Sequence, residues 1–451
     1  MKRSVAVLLV QLPLFACTQP ALKKTSPPED LESVGLGIDR RPDAGRLVSG
    51  RDVTELSREQ NAKGKEPDPP TRRGTASRIK RKLAVKHTED GFVAKLPDAR
   101  TVPTPAYHGG RIFAGGFGSY DMYAMDAHTG GSEWGLRLSD DGPTDPACTD
   151  GICVFNTYSC TTFAVEAATG KPLWSWYLGS PQLATPVIDG NVVYTSYPGS
   201  NGASDARYVL GAFDLKTGKP SWRTWIDQEV NSTPVVHDGH VYVATRLGTL
   251  YELAAKDGSV ISAQRNRIAS PPVLTMDGVF FGHEETPKEN GMIESSAMLF
   301  PTLEGARPLQ PEMVKPKPRP LVAQHRLITI DNGMVVATNR HSGRRLWQAV
   351  PNDDGPADIA APLIYAGNSI LMATRGGNVV RMEQDTGEVA ETFRLGEGAI
   401  ASQPIAVGGW IYAGTMAGSI VGFDTHEPTL TGWEMLGGTP DRRGAVNPEE
   451  K

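Results

Sequence analysis

Eight prolines open the same phrase along this chain: proline, an apolar strand, a turn at Asp or Gly, then a second apolar strand. The anchors are Pro105, Pro146, Pro186, Pro234, Pro272, Pro320, Pro362 and Pro404. They recur roughly every 38 to 48 residues, the period of a four-stranded propeller blade. Three early units also close alike, as Thr129-Gly130…Trp134, Thr169-Gly170…Trp174 and Thr217-Gly218…Trp222, and the sixth closes as Ser342-Gly343…Trp347. Unit four shows the logic. Pro234 starts the inner strand, where a missing N–H costs little. Asp238-Gly239 makes the turn, because glycine tolerates positive φ. The tryptophans Trp134, Trp174, Trp222 and Trp347 sit at a fixed offset after the turn, on outer strands, where an indole can wedge against the next blade.

These repeats predict an all-β fold, an eight-bladed β-propeller of four antiparallel strands per blade over residues 91–438. Seven blades is the alternative, reached by fusing units five and six. Unit five is the least regular, with Glu304-Gly305 where Thr-Gly belongs and a Pro-rich connector after it. Ring closure falls to residues 91–96, with Phe92 near the aromatic position, or to residues 432–436, which include Trp433. Residues 439–451 read as a polar tail.

The first sixteen residues set the compartment. Lys2 and Arg3 precede a short apolar run broken by Gln11 and Pro13, and Leu14-Phe15-Ala16 leads into Cys17. The run is too short for the ~20 apolar residues of a membrane span, so it reads as a signal peptide. It resembles a bacterial lipoprotein signal, which implies cleavage before Cys17 and lipidation of that thiol; an ordinary secretory signal is the alternative. Thr18 after the cysteine resembles the pattern for outer-membrane delivery. Residues 17–90 then read as the lipidated cysteine and a disordered tether, with no sustained apolar period to offset ordering entropy. The end of this stretch is basic: Arg72, Arg73, Arg78, Lys80, Arg81, Lys82 and Lys86 with no acid between them. That run fits attraction to anionic lipid or cell-wall polymer, or a solvated linker. Nucleic acid is not an expected partner of an exported chain with net charge −5.

Of the four cysteines, Cys148 and Cys153 flank an Asp-Gly hairpin turn, where cross-strand Cβ atoms come within disulfide reach. Export favours their oxidation. Cys160 is then the odd thiol, and a three-thiolate metal site is the alternative. The histidines show no zinc spacing, and no CxxCH signature occurs.

The phrases Tyr123-Ala124-Met125-Asp126-Ala127-His128-Thr129-Gly130…Trp134 and Phe163-Ala164-Val165-Glu166-Ala167-Ala168-Thr169-Gly170…Trp174 resemble the repeat of pyrroloquinoline-quinone-type propellers. That resemblance implies one of two functional groups: quinone-dependent dehydrogenases, or the non-enzymatic propeller lipoprotein of the outer-membrane β-barrel assembly machinery. A lipoprotein signal and tether is similar to the second. The quinone would need a cationic clamp, a Ca²⁺-like ion on hard oxygens and a general base. Arg207, Arg246, Arg340, Arg375, Asp205, Asp331 and Glu383 offer the charges but form no recognisable cluster. The expectation is a monomeric, lipid-anchored, non-catalytic scaffold of the bacterial outer membrane, without cofactor or metal, binding envelope proteins. A dehydrogenase is the alternative, and a glycan- or small-molecule-sensing module the third reading.

Extra residues gather in second-to-third strand loops: 115–120 in unit one, 197–207 in unit three and 284–293 in unit five. These loops share one face with the blade connectors. Tyr120, Tyr197, Arg207 and Glu284 are therefore the candidate binding face, with neutral drift of exposed loops as the alternative.

Overall fold

The structure is a computed structural model. It describes residues 36–39, 51–64, 66–158, 161–179, 184–199, 208–230, 233–265, 270–275, 278–282, 318–331, 333–350, 361–396, 398–400, 402–440 and 445–446. Consecutive antiparallel strands form blade after blade. Blade four, for example, runs Val235–His237, His240–Ala244, Thr249–Ala254 and Val260–Arg265 from the inside outward. Among the described residues seven blades carry four such strands, which matches the seven-bladed alternative and not the expected eight; each blade is numbered by the proline unit that opens it, so the seven are blades one to four and six to eight. The described residues of the unit opened by Pro272 form the hairpin Val273–Thr275 and Gly278–Gly282, and Leu36–Asp39 pairs onto the hairpin's second strand. Its expected later strands, around residues 297–300, lie outside the described residues.

One contact repeats around the ring. The turn glycines Gly130, Gly170, Gly218, Gly258 and Gly387 all hold φ between +68° and +72°. That left-handed conformation costs a residue with a Cβ about 1–2 kcal/mol, but costs glycine little. Each bare Cα is also the seat of the preceding blade's aromatic ring. A Cβ on Gly170 would lie 2.6 Å from Trp134, and one on Gly218 would lie 2.5 Å from Trp174. One on Gly258 would lie 2.4 Å from Trp222, and one on Gly387 2.5 Å from Trp347. Each indole also donates a hydrogen bond into the neighbouring blade. Trp134 Nε1 bonds Ala167 O at 2.9 Å, Trp174 bonds Leu215 O at 2.8 Å, Trp222 bonds Ala255 O at 2.8 Å, and Trp347 bonds Gln384 O at 2.9 Å. The tryptophan–glycine phrase is thus an intermolecular-style joint written within one chain: the ring belongs to one blade and the socket to the next.

The turn is set by the residue four before the glycine. Asp214 Oδ1 accepts from Thr217 N at 2.8 Å and from Thr217 Oγ1 at 2.7 Å. Asp126 holds Thr129 the same way, and Asn339 holds Ser342. This is the side-chain-to-backbone turn that Asp and Asn favour. The hydroxyl of Thr217 leads in holding the Asp214 carboxyl below its ordinary value of 3.8.

Closure uses Gly91–Lys95 as the outer strand of blade eight, paired with Ser419–Asp424. Phe92 replaces the tryptophan, and a Cβ on Gly130 would lie 2.3 Å from its ring. Residues 432–436 do not form that strand.

Residues 51–64 and 66–90, expected as part of a disordered tether over 17–90, lie instead along the outer rim. Val53 N bonds Ala263 O at 3.0 Å, and Arg51–Asp52 extends blade four. The helix Thr54–Lys63 follows without an apolar face; Arg58 donates to Val260 O and Ile261 O, and Asn61 exchanges two bonds with the Trp225 backbone. Arg223 of blade three meets Glu66 and Pro67 O. Tyr177 N of blade two bonds Arg72 O, Ala76–Arg78 adds a strand to blade one, and Ala84–Thr88 adds one to blade eight. The belt forms through backbone pairing and polar side chains, so it needs no apolar period.

The segment after blade eight is also built in. Gly409 N of blade eight bonds Leu430 O, and Gly367 N of blade seven bonds Thr431 O. Trp433 pairs with Ala406 on the innermost strand of blade eight, Tyr107 N of blade one bonds Glu434 O, and Ile188 N of blade three bonds Pro440 O. Ala445–Val446 pairs in parallel with Leu321–Ala323 of blade six. Trp433 and Met435 are 2 % and 0 % exposed. Residues 430–440, expected as a closing strand and the start of a polar tail, therefore run across the inner strands, whose edge N–H groups they satisfy.

Two outcomes follow for stability, each read by chemical denaturation. Gly218→Ala should cost at least ~3 kcal/mol, from the left-handed backbone plus the displaced indole. Gly190→Ala, also at positive φ but with nothing within 4 Å, should cost only about 1 kcal/mol. In a Trp174→Ala background, itself ~3–5 kcal/mol less stable, the Gly218→Ala cost should fall to that of Gly190→Ala. Equal costs in both backgrounds would mean that ring and socket are uncoupled.

The second outcome concerns acid. Asp214 is depressed in the folded state, so its stabilising contribution is present above the unfolded value and is lost as pH falls through the folded value. Asp214→Asn keeps an acceptor, as Asn339 does naturally. Denaturation midpoints should therefore be similar at neutral pH, and the variant should lose less stability than the natural chain below pH of about 4.

Candidate functional site

The loops joining second to third strands and the blade connectors pair with each other and make one face. Isolated bridges join Thr101 to Phe117, Pro143 to Thr157, Val230 to Thr245 and Ile400 to Thr415. Each connector thereby fixes the loop of the blade it enters. On this floor stand Tyr120, 43 % exposed, and Met416, 55 % exposed. Phe117 and Tyr158 meet edge to face at 5.6 Å, and burial pushes the Tyr158 phenol up. Arg137 lies over the Tyr120 ring at 5.2 Å while its guanidinium reaches Asp121 at 3.1 Å. Asp121 also accepts from Tyr123, whose phenol is pushed up to about 12, mainly by burial and then by the Asp121 charge. The cation over Tyr120 is thus held from below by a buried carboxylate. An aromatic ring presented on a rigid support can bind with little entropy left to lose.

Tyr197 is not part of this surface. It lies in the strand Val192–Pro198, is 5 % exposed and packs against Phe213 at 6.4 Å. The strands of unit three extend further than the repeat predicts, so the pleat turns Tyr197 into the core. Arg207, Glu284, Cys17 and Cys160 lie outside the described residues. Cys148 and Cys153 face each other across the first hairpin of blade two and are joined as a disulfide, with Cα atoms 4.1 Å apart. Trp134, Trp174, Trp222 and Trp347 occupy the blade joints described above. Of the charges weighed for a quinone, Arg246 lies on blade four, Arg375 and Glu383 on blade seven, and Arg340 is buried in blade six. Among the described residues no three His, Cys, Asp or Glu side chains converge as a metal site.

The opposite face carries the hairpin turns and the Thr-Gly turns. The segment after blade eight crosses on this side, with residues 427–430 lying against Gly367 and Gly409. Gln403, 3 % exposed, holds them there. Its Oε1 accepts from Trp433 Nε1 at 3.3 Å and from Gly437 N at 3.0 Å, while its Nε2 donates to Leu363 O at 3.2 Å. The repeat pattern marked residues 432–436 of this segment as a candidate closing strand, not as a strand against the inner edges. Its apolar residues are Leu430, Trp433, Met435 and Leu436, within a stretch otherwise rich in Gly, Thr and Pro.

Comparison with solved structures finds similar chains. The computationally designed Ika8 protein matches at 14 % identity with TM-score 0.52, covering 73 % of this chain and 98 % of its own. BamB from Moraxella catarrhalis matches at 17 % identity and TM-score 0.40, covering 78 % and 97 %. A quinohemoprotein alcohol dehydrogenase, ADHIIG from Pseudomonas putida HK5, matches at 12 % identity and TM-score 0.49, covering 71 % and 70 %. No curated protein matches the chain. The model of one family matches residues 94–207, 203–284 and 306–445, most of the propeller, and on that match the chain belongs to the family described as outer membrane protein assembly factor BamB.

Proposed function

We propose that this chain is a lipid-anchored, non-catalytic scaffold of the bacterial outer membrane that binds protein partners in outer-membrane protein assembly. Membership of the family supports the assembly role. The observation that carries the scaffold reading is that Trp433 and Met435 lie buried in a segment that pairs with the inner strands of blades eight and one. Any ligand entering the ring from that side would have to share the space with the protein's own chain. Binding is then left to the outer surfaces. The face around Tyr120, Phe117 and Met416 has the composition of a protein contact, aromatic and apolar groups beside paired charges.

A photocrosslinking residue placed at Tyr120 or Met416 should capture envelope proteins in cells. The same residue at Lys216, exposed on the opposite face, should capture none of them. Equal capture from both faces would remove this surface from the proposal. Anchoring has its own readout: the natural chain should incorporate labelled fatty acid, and Cys17→Ser should abolish it. Label retained by the variant would defeat the lipoprotein reading.

A further inference from the structure

The belt converts a run of basic sequence into a fixed surface. Arg72, Arg73, Arg78, Lys80, Arg81, Lys82 and Lys86 are all exposed, and no acidic residue falls between residues 69 and 88. Backbone pairing holds them along three neighbouring blades: Arg72 on blade two, Ala76–Arg78 on blade one, and Ala84–Thr88 on blade eight. The guanidinium carbons of Arg72 and Arg73 lie over Tyr177 and Trp176, each 4.8 Å from the ring centroid. Arg78 donates to Thr169 O, fixing its guanidinium at an open groove of about 420 Å³ that Lys171 also lines. The groove's carboxylate, Glu166, is engaged by Thr169 and Lys171. The result is an arc of cations on the rim, at right angles to both propeller faces.

We infer that this arc is a docking surface for an anionic phospholipid bilayer, on which the propeller stands edge-on. The composition of the arc selects the partner. The exposed large apolar residues of the described chain are Leu56, Tyr120, Leu346 and Met416, none of them within the arc. A protein interface needs a desolvated apolar or aromatic centre. A headgroup plane needs only cations that can approach within a Debye length. The length of the preceding segment fits as well. Between Cys17 and Leu36, the first described residue, up to nineteen extended residues reach about 60 Å, enough for the ring to turn its rim to the membrane. Edge-on docking leaves the face around Tyr120 open to partners. The inference uses the anchoring reading only for this last geometry; the arc itself is tested without a lipid.

The test uses the full chain carrying Cys17→Ser, mixed with vesicles of phosphatidylglycerol and phosphatidylcholine and separated by sedimentation. The chain should bind these vesicles and not pure phosphatidylcholine, and binding should vanish when salt shortens the Debye length to about 3 Å. Replacing Lys80, Arg81 and Lys82 together by Gln should weaken binding roughly a hundredfold. Lys80→Arg with Lys82→Arg should retain it. These three side chains take no part in the belt's backbone pairing, so thermal unfolding of the Gln variant should match that of the parent. Undiminished binding by the Gln variant would overturn the inference, as would equal binding to neutral vesicles. Soluble polyglutamate displacing the vesicles at equal charge would point to an acidic protein partner and overturn it too. Failure here leaves the fatty-acid label on Cys17 unaffected, so the two readings can fail separately.

Discussion

The ring depends on an aromatic plane lying on a glycine. Each blade is a twisted sheet with apolar faces, and it is stable only when a neighbour covers them. The indole of Trp134, Trp174, Trp222 or Trp347 provides that cover and ties it down with an Nε1 hydrogen bond to a carbonyl of the next blade. The socket works only if the turn residue has no side chain and can hold positive φ, so one residue type satisfies both demands. Closure obeys the same rule with a different ring, since Phe92 from the start of the propeller sits on Gly130. Blade four has Ser262 at the tryptophan's position, and its hydroxyl donates to the buried Glu252 on the neighbouring strand.

A ring of sheets solves the packing problem but leaves two circles of strand edges, one inside and one outside. Exposed edges invite pairing with other chains. Here the protein uses its own flanking segments on both. The residues before the propeller run along the outer edges of blades four, two, one and eight, and those after it cross the inner edges of blades eight, one, three and six. The two flanks also divide the surfaces available for function. The inner one occupies the channel mouth on the turn face, the outer one charges the rim, and the loop face is left with its aromatic residues exposed.

The propeller was legible because its signals are local. Asp214 and Thr217 build a turn within four residues, and Trp222 stands at a fixed distance beyond it; no distant information is required. The belt was illegible for the opposite reason. Arg58, Asn61 and Glu66 act on blades three and four through hydrogen bonds across more than 150 positions of sequence, and a stretch of such residues has the composition of a tether. Tyr197 was misread because an aromatic beside a loop insertion resembles a surface anchor. Its burial depends on how far the strand continues, which the repeat does not encode. The disulfide was the reverse case: Cys148 and Cys153 flank a two-residue turn, so hairpin geometry alone pairs them.

Repeat proteins behave as one-dimensional arrays, each unit coupled only to its neighbours, so that ends fray and partial unfolding is inexpensive. The segment that crosses the channel breaks that description. By touching blades eight, seven, one, three and six, it couples units that are not adjacent in the ring. The array thereby acquires cross-links, and loosening one blade costs contacts at a distant one. Cooperativity in this molecule is therefore a property of the ring as a whole, set by a segment that belongs to none of its repeats.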